Sequence, residues 1–121
     1  MRQGKIMNEI GRKYEEKAAE LLEKQGYFIL ERNYRCKQGE IDLIGKEGEY
    51  LCFIEVKYRS DLSYGSPLEA VTKAKQRKIS RTALYYLTKE GYPEDTPCRF
   101  DVVGISSNRA ELIRNAFEYQ R

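Results

Sequence analysis

Histidine and tryptophan are missing from this chain, and cysteine, proline and methionine are scarce, with three Cys, three Pro and two Met in 121 residues. Without imidazole there is no histidine general base, no histidine-ligated metal and no Ser/His or Cys/His nucleophile pair, so any chemistry runs on carboxylates and lysines. Cys36, Cys52 and Cys98 are odd in number, far apart and without a C-x-x-C. That pattern excludes a disulfide framework and a four-cysteine zinc site, and predicts small hydrophobes in a reducing compartment. No run approaches the roughly 20 apolar residues of a membrane span, and the first residues, among them Gly4, Lys5 and Glu9, lack the apolar core of a signal peptide. The expectation is a cytoplasmic protein with no membrane partner. Nor does one sign of charge dominate: 22 basic and 19 acidic side chains leave +3, too little to demand a polyanionic partner unless the cations cluster.

What is present suits one globular domain over residues 1–121, since 40% hydrophobic and 34% charged residues with no repeat or low-complexity segment exclude a disordered or fibrous chain. From Asn8 to Gln25, Ile10, Tyr14, Ala18, Leu21 and Leu22 recur at helical spacing, with Asn8 placed to cap and Gly26 to end the helix. Three β-leaning runs follow, Tyr27 to Tyr34, Glu40 to Lys46 and Tyr50 to Arg59, separated by Gln38-Gly39 and Glu47-Gly48. Ser66-Pro67-Leu68-Glu69 reads as a capping box opening a helix to about Lys89, with Val71, Ala74, Ile79, Ala83 and Tyr86 as its apolar stripe. A strand from Arg99 to Ile105 and a weaker one around Glu111 to Asn115 complete an α-β-β-β-α-β-(β) order, an α/β fold with a mixed sheet flanked by two long helices.

Strand alternation places Glu40, Asp42 and Ile44 on one face, and Leu51, Phe53, Glu55, Lys57 and Arg59 on one face of the next strand. If the hairpin loop between them is even, Asp42 shares a face with Glu55 and Lys57. Two carboxylates among apolar neighbours ask for a cation, and paired oxygen donors suit Mg²⁺ or Mn²⁺ completed by substrate phosphate. A lysine beside them can orient attacking water, so phosphodiester hydrolysis needs no histidine. The same pattern also fits a surface hairpin with a cross-strand Glu–Lys pair. Glu15 sits at the edge of the first helix's apolar stripe, placed either to reach inward as a further ligand or to stay a boundary residue. Lys75 falls inside the second helix's stripe, where it either snorkels out or meets the carboxylates or a phosphate. Lys73, Lys75, Arg77, Lys78 and Arg81 follow one another without an acid, and with Arg59 they are candidate phosphate contacts. Arg32, Arg35 and Lys37 form a second concentration, and Tyr34 and Tyr58 are candidates for stacking on unpaired bases.

Gly39-Glu40-Ile41-Asp42-Leu43-Ile44, Phe53-Ile54-Glu55-Val56-Lys57-Tyr58-Arg59 and Arg99-Phe100-Asp101-Val102-Val103 resemble the YraN-type family over nearly the whole chain. That family is similar to the restriction-endonuclease-like PD-(D/E)XK nucleases and to archaeal Holliday-junction resolvases. The resemblance implies a central sheet of that type and a Mg²⁺- or Mn²⁺-dependent endonuclease acting on DNA, with branched or damaged DNA as the favoured substrate. It makes Asp42 and Glu55 catalytic metal ligands, Lys57 the water-positioning lysine, Glu15 the helix ligand and the Val56 carbonyl a further one. Glu40 and Asp101 match as supporting residues without defined roles. Ile41 stands where the wider motif has proline, and Tyr58 where threonine is common. A homodimer is expected, because one carboxylate cluster per chain cuts both strands of a junction only as a pair. A non-catalytic nucleic-acid-binding accessory protein is the alternative, since a fold does not dictate an activity.

Overall fold

The computed structural model describes residues 2–60 and 65–121, with side chains from Gly11 onward. Helix α1 (Arg2–Lys24) begins earlier than the apolar spacing predicts, so Asn8 lies within it and is no cap, while the side chains of Asn8 and Ile10 fall outside the described ones. Ala18, Ala19 and Leu22 form its buried stripe. Its end is set by Gly26, whose φ of +100° lets Tyr27 donate its N–H to the Leu22 carbonyl and Gly26 its own to that of Glu23, satisfying carbonyls the helix leaves open.

Strands β1 (Phe28–Cys36), β2 (Gly39–Glu47) and β3 (Tyr50–Tyr58) form an antiparallel meander. The 3₁₀ turn η1 (Pro67–Ala70) and helix α2 (Lys73–Lys89) carry the chain over to β4 (Cys98–Ile105), parallel to β3, and β5 (Ala110–Phe117) returns antiparallel. The result is a five-stranded mixed sheet in the order β1-β2-β3-β4-β5. α1 covers one face over Leu43, Cys52, Ile54, Val103 and Ile105, and α2 the other over Ile41, Ile44, Phe53, Phe100 and Val102. Among the described residues no helix is long and apolar enough to cross a membrane.

The second helix differs from its sequence-based expectation. Ser66 does cap, accepting the Leu68 N–H, but the turn it opens stops at Val71, which is extended, and Thr72 caps a separate α2 by accepting the Lys75 N–H. Two capping side chains in series break what periodicity reads as one helix. Val71 therefore packs from the linker, Ala74 is exposed, and the buried stripe of α2 is Gln76, Ile79, Ser80, Thr82, Ala83 and Tyr86.

Pro67 lies directly over Gly104, where an added Cβ would run into the proline Cγ. Gly104→Ala should therefore force the turn off the sheet, at a cost of about 1–3 kcal/mol. A lowered urea midpoint with an unchanged m-value would show it, and an unchanged midpoint would mean that the turn yields freely.

Candidate functional site

The β2–β3 hairpin closes through Gly48 and Glu49, an even loop, so Ile44 stands opposite Phe53 and the two pack on the α2 side. Simple alternation then fails one step before Asp42. Ile41 faces α2 while Leu43 faces α1, and on β1 Asn33 adopts φ +53° with no ladder partner, although Arg32 pairs with Leu43 and Tyr34 with Ile41. This shared kink at Asn33 and Asp42 reverses the parity of both strands. Asn33 is one of the residue types that enters left-handed backbone at low cost. That is the signal by which the kink could have been anticipated.

β2 pairs with β3 only as far as Leu43 and Ile54, and beyond that point Asp42 reaches across with its side chain, its Oδ2 accepting the Val56 N–H at 2.8 Å. The carboxylate thus stands in for the missing ladder carbonyl and comes beside Glu55. Burial, reinforced by the Glu55 charge and a hydrogen bond shared with it, pushes the Asp42 carboxyl up to about 8, against the opposing pull of the Val56 N–H and Lys75. Glu55 is 5% exposed. Lys57, two residues along β3, and Lys75, from the first turn of α2, each place Nζ 3.7 Å from the same Glu55 Oε2. The lysine in the apolar stripe is therefore accounted for: it faces a buried carboxylate.

Two acids held together below the surface suit a hard divalent cation, because Mg²⁺ is commonly held by one or two carboxylates, with waters and substrate phosphate completing its shell. Asp42, Glu55 and the backbone carbonyl of Val56 between Glu55 and Lys57 are the donors available. Glu15 is half-buried on the neighbouring helix. Burial raises its carboxyl, the Asn33 side chain lowers it, and the charges of Asp42 and Glu40 raise it again. Among the described residues no three His, Cys, Asp or Glu side chains come close enough together to hold a metal ion by themselves, so Glu15 stands beside the Asp42–Glu55 pair without completing a cluster.

The remaining candidates separate by position. Glu40 is exposed and pairs with Arg35 across the β1–β2 turn at 3.1 Å. Asp101 is fully buried on the α1 face, on the other side of the sheet from Glu55, and accepts hydrogen bonds from Tyr27, Arg99 and the Asn115 N–H. Its role is to tie strands together. Lys73, Arg77, Lys78 and Arg81 are exposed on α2, a cationic face beside the carboxylate pair, whereas Lys75 turns inward. Arg59 donates to the Gly65 carbonyl at 2.9 Å, bridging the end of β3 to the start of η1. Tyr34 does not offer a stacking surface: its ring packs edge-on against Tyr86 at 5.0 Å and its hydroxyl is buried.

A family model described as "Uncharacterised protein family UPF0102" matches residues 14–105, a span that includes every residue of this cluster. Among curated proteins the chain is 54% identical over 104 residues to a UPF0102 protein of Lachnoclostridium phytofermentans, covering 86% of this chain and 88% of that one. It is 50% identical over 119 residues to a UPF0102 protein of Chlorobium chlorochromatii, covering 90% and 91%. A third relative, from Hahella chejuensis, is 50% identical over 112 residues, covering 90% of each chain.

Proposed function

The chain belongs to the UPF0102 family, and from its buried carboxylate pair and facing lysines we propose that it is a Mg²⁺- or Mn²⁺-dependent nuclease that hydrolyses phosphodiester bonds in DNA, with a core of the restriction-endonuclease-like PD-(D/E)XK type. The observation that carries this reading is one buried glutamate, Glu55, held against Asp42 and faced by two lysine ammonium groups. A fold needs no such arrangement for stability, since buried like charges cost free energy that an apolar pair would not. The order of elements and the resemblance of the three motifs to resolvase-like nucleases support the same reading.

In this proposal Asp42, Glu55 and the Val56 carbonyl hold the ion, with Glu15, which feels the Asp42 charge, as a further carboxylate. The ion when bound supplies Lewis acidity toward the phosphoryl oxygens and acidifies coordinated water. Lys57 orients the attacking water and shields the charge that builds on the phosphorane. Lys75 holds the Glu55 carboxylate in place from α2 and adds a second positive charge. Lys73, Arg77 and Lys78, exposed on the same helix, together with Arg59 bind backbone phosphates, an attraction that weakens steeply with salt. A homodimer would place two such clusters on the two strands of a branched substrate.

The test is cleavage of end-labelled four-way-junction, flap, single-stranded and duplex DNA at low salt in Mg²⁺ or Mn²⁺, with Glu55→Ala purified in parallel. Metal-dependent cutting that disappears in Glu55→Ala is the expected result. Salt-sensitive binding of all four substrates with no cutting of any would replace the nuclease with an accessory DNA-binding protein. Light scattering alone and with junction DNA measures whether two copies assemble.

A further inference from the structure

Glu15 and Glu55 approach the site from opposite faces of the sheet. Glu15 belongs to α1, which packs over Leu43, Ile54 and Val103, while Glu55 is met by Lys75 of α2 on the other side. One ion can be reached by both only where the sheet gives way between them. It does so at Asp42. On one side Arg32 pairs with Leu43 and Tyr34 with Ile41, so the β1 residue opposite Asp42 is Asn33, and the ladder skips both. On the other side the pairing of β2 with β3 ends at Leu43 and Ile54.

Asn33 also meets α1. Two successive helix residues face two successive strand residues here: Glu16 accepts from Arg32 Nη1 at 2.6 Å, and the Glu15 carboxyl takes a side-chain hydrogen bond from Asn33 that favours its charged form. The Asp42 charge acts on the same Glu15 carboxyl. Asn33 is exposed, so burial does not account for its left-handed backbone at φ +53°. Among the described residues Asn115 is the other non-glycine residue with positive φ, at +52°, and its kink on β5 brings its N–H to the buried Asp101 carboxylate at 2.9 Å. Twice, then, an asparagine turns a strand toward an acid.

We propose that Asn33 is a positioning residue of the ion site: its left-handed backbone makes the break in the sheet opposite Asp42, and its side-chain amide aims the Glu15 carboxylate through that break, so that a helix ligand and two strand ligands from opposite faces converge on one divalent cation. Asn33 lies outside the three sequence motifs that carry the resemblance to nucleases. The inference rests on the metal-dependent reading above and adds to it the residue that joins α1 to the Asp42–Glu55 pair. Asn33 acts through Glu15 and not on the ion itself. Losing an outer partner that orients a ligand typically costs about 10–100-fold in metal affinity.

The experiment uses the full chain and Mn²⁺ alone, without nucleic acid, and counts free Mn²⁺ by its paramagnetic resonance signal in wild type, Asn33→Gly, Glu15→Gln and the double variant. Glycine takes left-handed backbone freely and lacks the amide. Asn33→Gly and Glu15→Gln are each expected to weaken Mn²⁺ binding about ten-fold or more, and the double variant should be no more than about two-fold weaker than Glu15→Gln. Melts in chelator accompany the titrations. Asn33→Gly should stay within about 6 °C of wild type, whereas Asn33→Ala, which lacks the amide and resists the left-handed backbone, should melt lower than Asn33→Gly and bind Mn²⁺ no better. Wild-type affinity in Asn33→Gly, or a loss that multiplies with that of Glu15→Gln, overturns the inference and leaves the Asp42–Glu55 site standing. So does wild-type affinity in Glu15→Gln, which decides the matter even where an Asn33 variant does not melt cooperatively. If wild type takes up no Mn²⁺, the metal-dependent reading fails and this inference with it.

Discussion

Asp42→Asn is expected to abolish metal-dependent cleavage and, in the same protein, to raise the melting temperature measured in chelator. The asparagine Oδ1 can still accept the Val56 N–H that Asp42 holds at 2.8 Å, so the contact that replaces the end of the β2–β3 ladder survives. What disappears is a carboxyl that burial, reinforced by the Glu55 charge, holds near 8 instead of in the usual carboxylate range, so that folding at neutral pH has to protonate it. Removing that cost should stabilise the fold by about 1–4 kcal/mol, the scale on which buried charged groups are replaced without loss. In a domain of this size each kcal/mol moves the melting temperature by roughly 3–6 °C. Catalysis moves the other way. Losing a ligand to the ion forfeits several kcal/mol of transition-state stabilisation, about a thousand-fold or more in rate. The two readouts belong together: single-turnover cleavage, and thermal melts with and without Mn²⁺. Wild type should melt higher with the ion and Asp42→Asn should not respond to it. A lower melting temperature in chelator with cleavage intact would assign Asp42 to holding the strands and remove it from the site.

Asp101→Ala should be the most damaging single substitution for stability. Its carboxylate is fully buried and accepts the Tyr27 hydroxyl at 2.7 Å, both Nε and Nη2 of Arg99 at 3.0 Å, and the Asn115 N–H at 2.9 Å. Arg99 in turn reaches Glu47 at 2.6 Å, and Arg114 of β5 closes on Glu47 at 2.7 Å. One carboxylate therefore links the end of α1, the β2–β3 hairpin, β4 and β5. Removing it strands a guanidinium only 11% exposed, and breaking a buried pair from one side costs about 3–5 kcal/mol. A domain stable by roughly 5–15 kcal/mol loses a large share of that, which urea denaturation would measure. A cost below about 1 kcal/mol would mean that Glu47 alone satisfies Arg99. The same network predicts an acid limb. Hydrogen bonds from Arg114, against the opposing effect of burial and with help from Arg99, hold the Glu47 carboxyl down at about 2, below its ordinary value of 4.5. A depressed folded-state value means that the unfolded chain binds the proton first as pH falls. Glu47 therefore contributes its full stabilisation above about pH 4.5 and loses it progressively toward pH 2. Glu47→Gln should flatten that part of the stability profile and leave the neutral part lower.

Much of this protein is legible without coordinates, for reasons that can be named. Helical spacing of Ala18 and Leu22, the glycine after Gln25, and β-branched and aromatic runs at Tyr27 to Arg59 each reflect a local rule. The corresponding elements stand within a few residues of where those rules put them. The pairing of Asp42 with Glu55 and Lys57 was also within reach, because an even hairpin loop fixes which side chains oppose each other. Its route was not: alternation alone carries Asp42 to the right neighbourhood, but the kink at Asn33 and Asp42 turns its carboxylate into the partner of the Val56 N–H. Tyr34 misleads at sequence level because an aromatic among cations reads as exposed, whereas its ring is taken up by Tyr86 on a helix that follows much later in the chain.

The sequence by itself determined which chemistry is closed to this protein, since a chain without histidine has no imidazole base or metal ligand, and it set two strand carboxylates near a lysine. It also determined the order of helices and strands, because spacing and caps act over a few residues. Only the tertiary structure decided that Lys75 faces Glu55 while Lys73, Arg77 and Lys78 face solvent, that Asp101 serves the far side of the sheet, and that Tyr58 is backed by Tyr14. Each of these joins residues on different elements, and such distances are set by how two helices pack across one sheet, a global property that no local window of sequence contains.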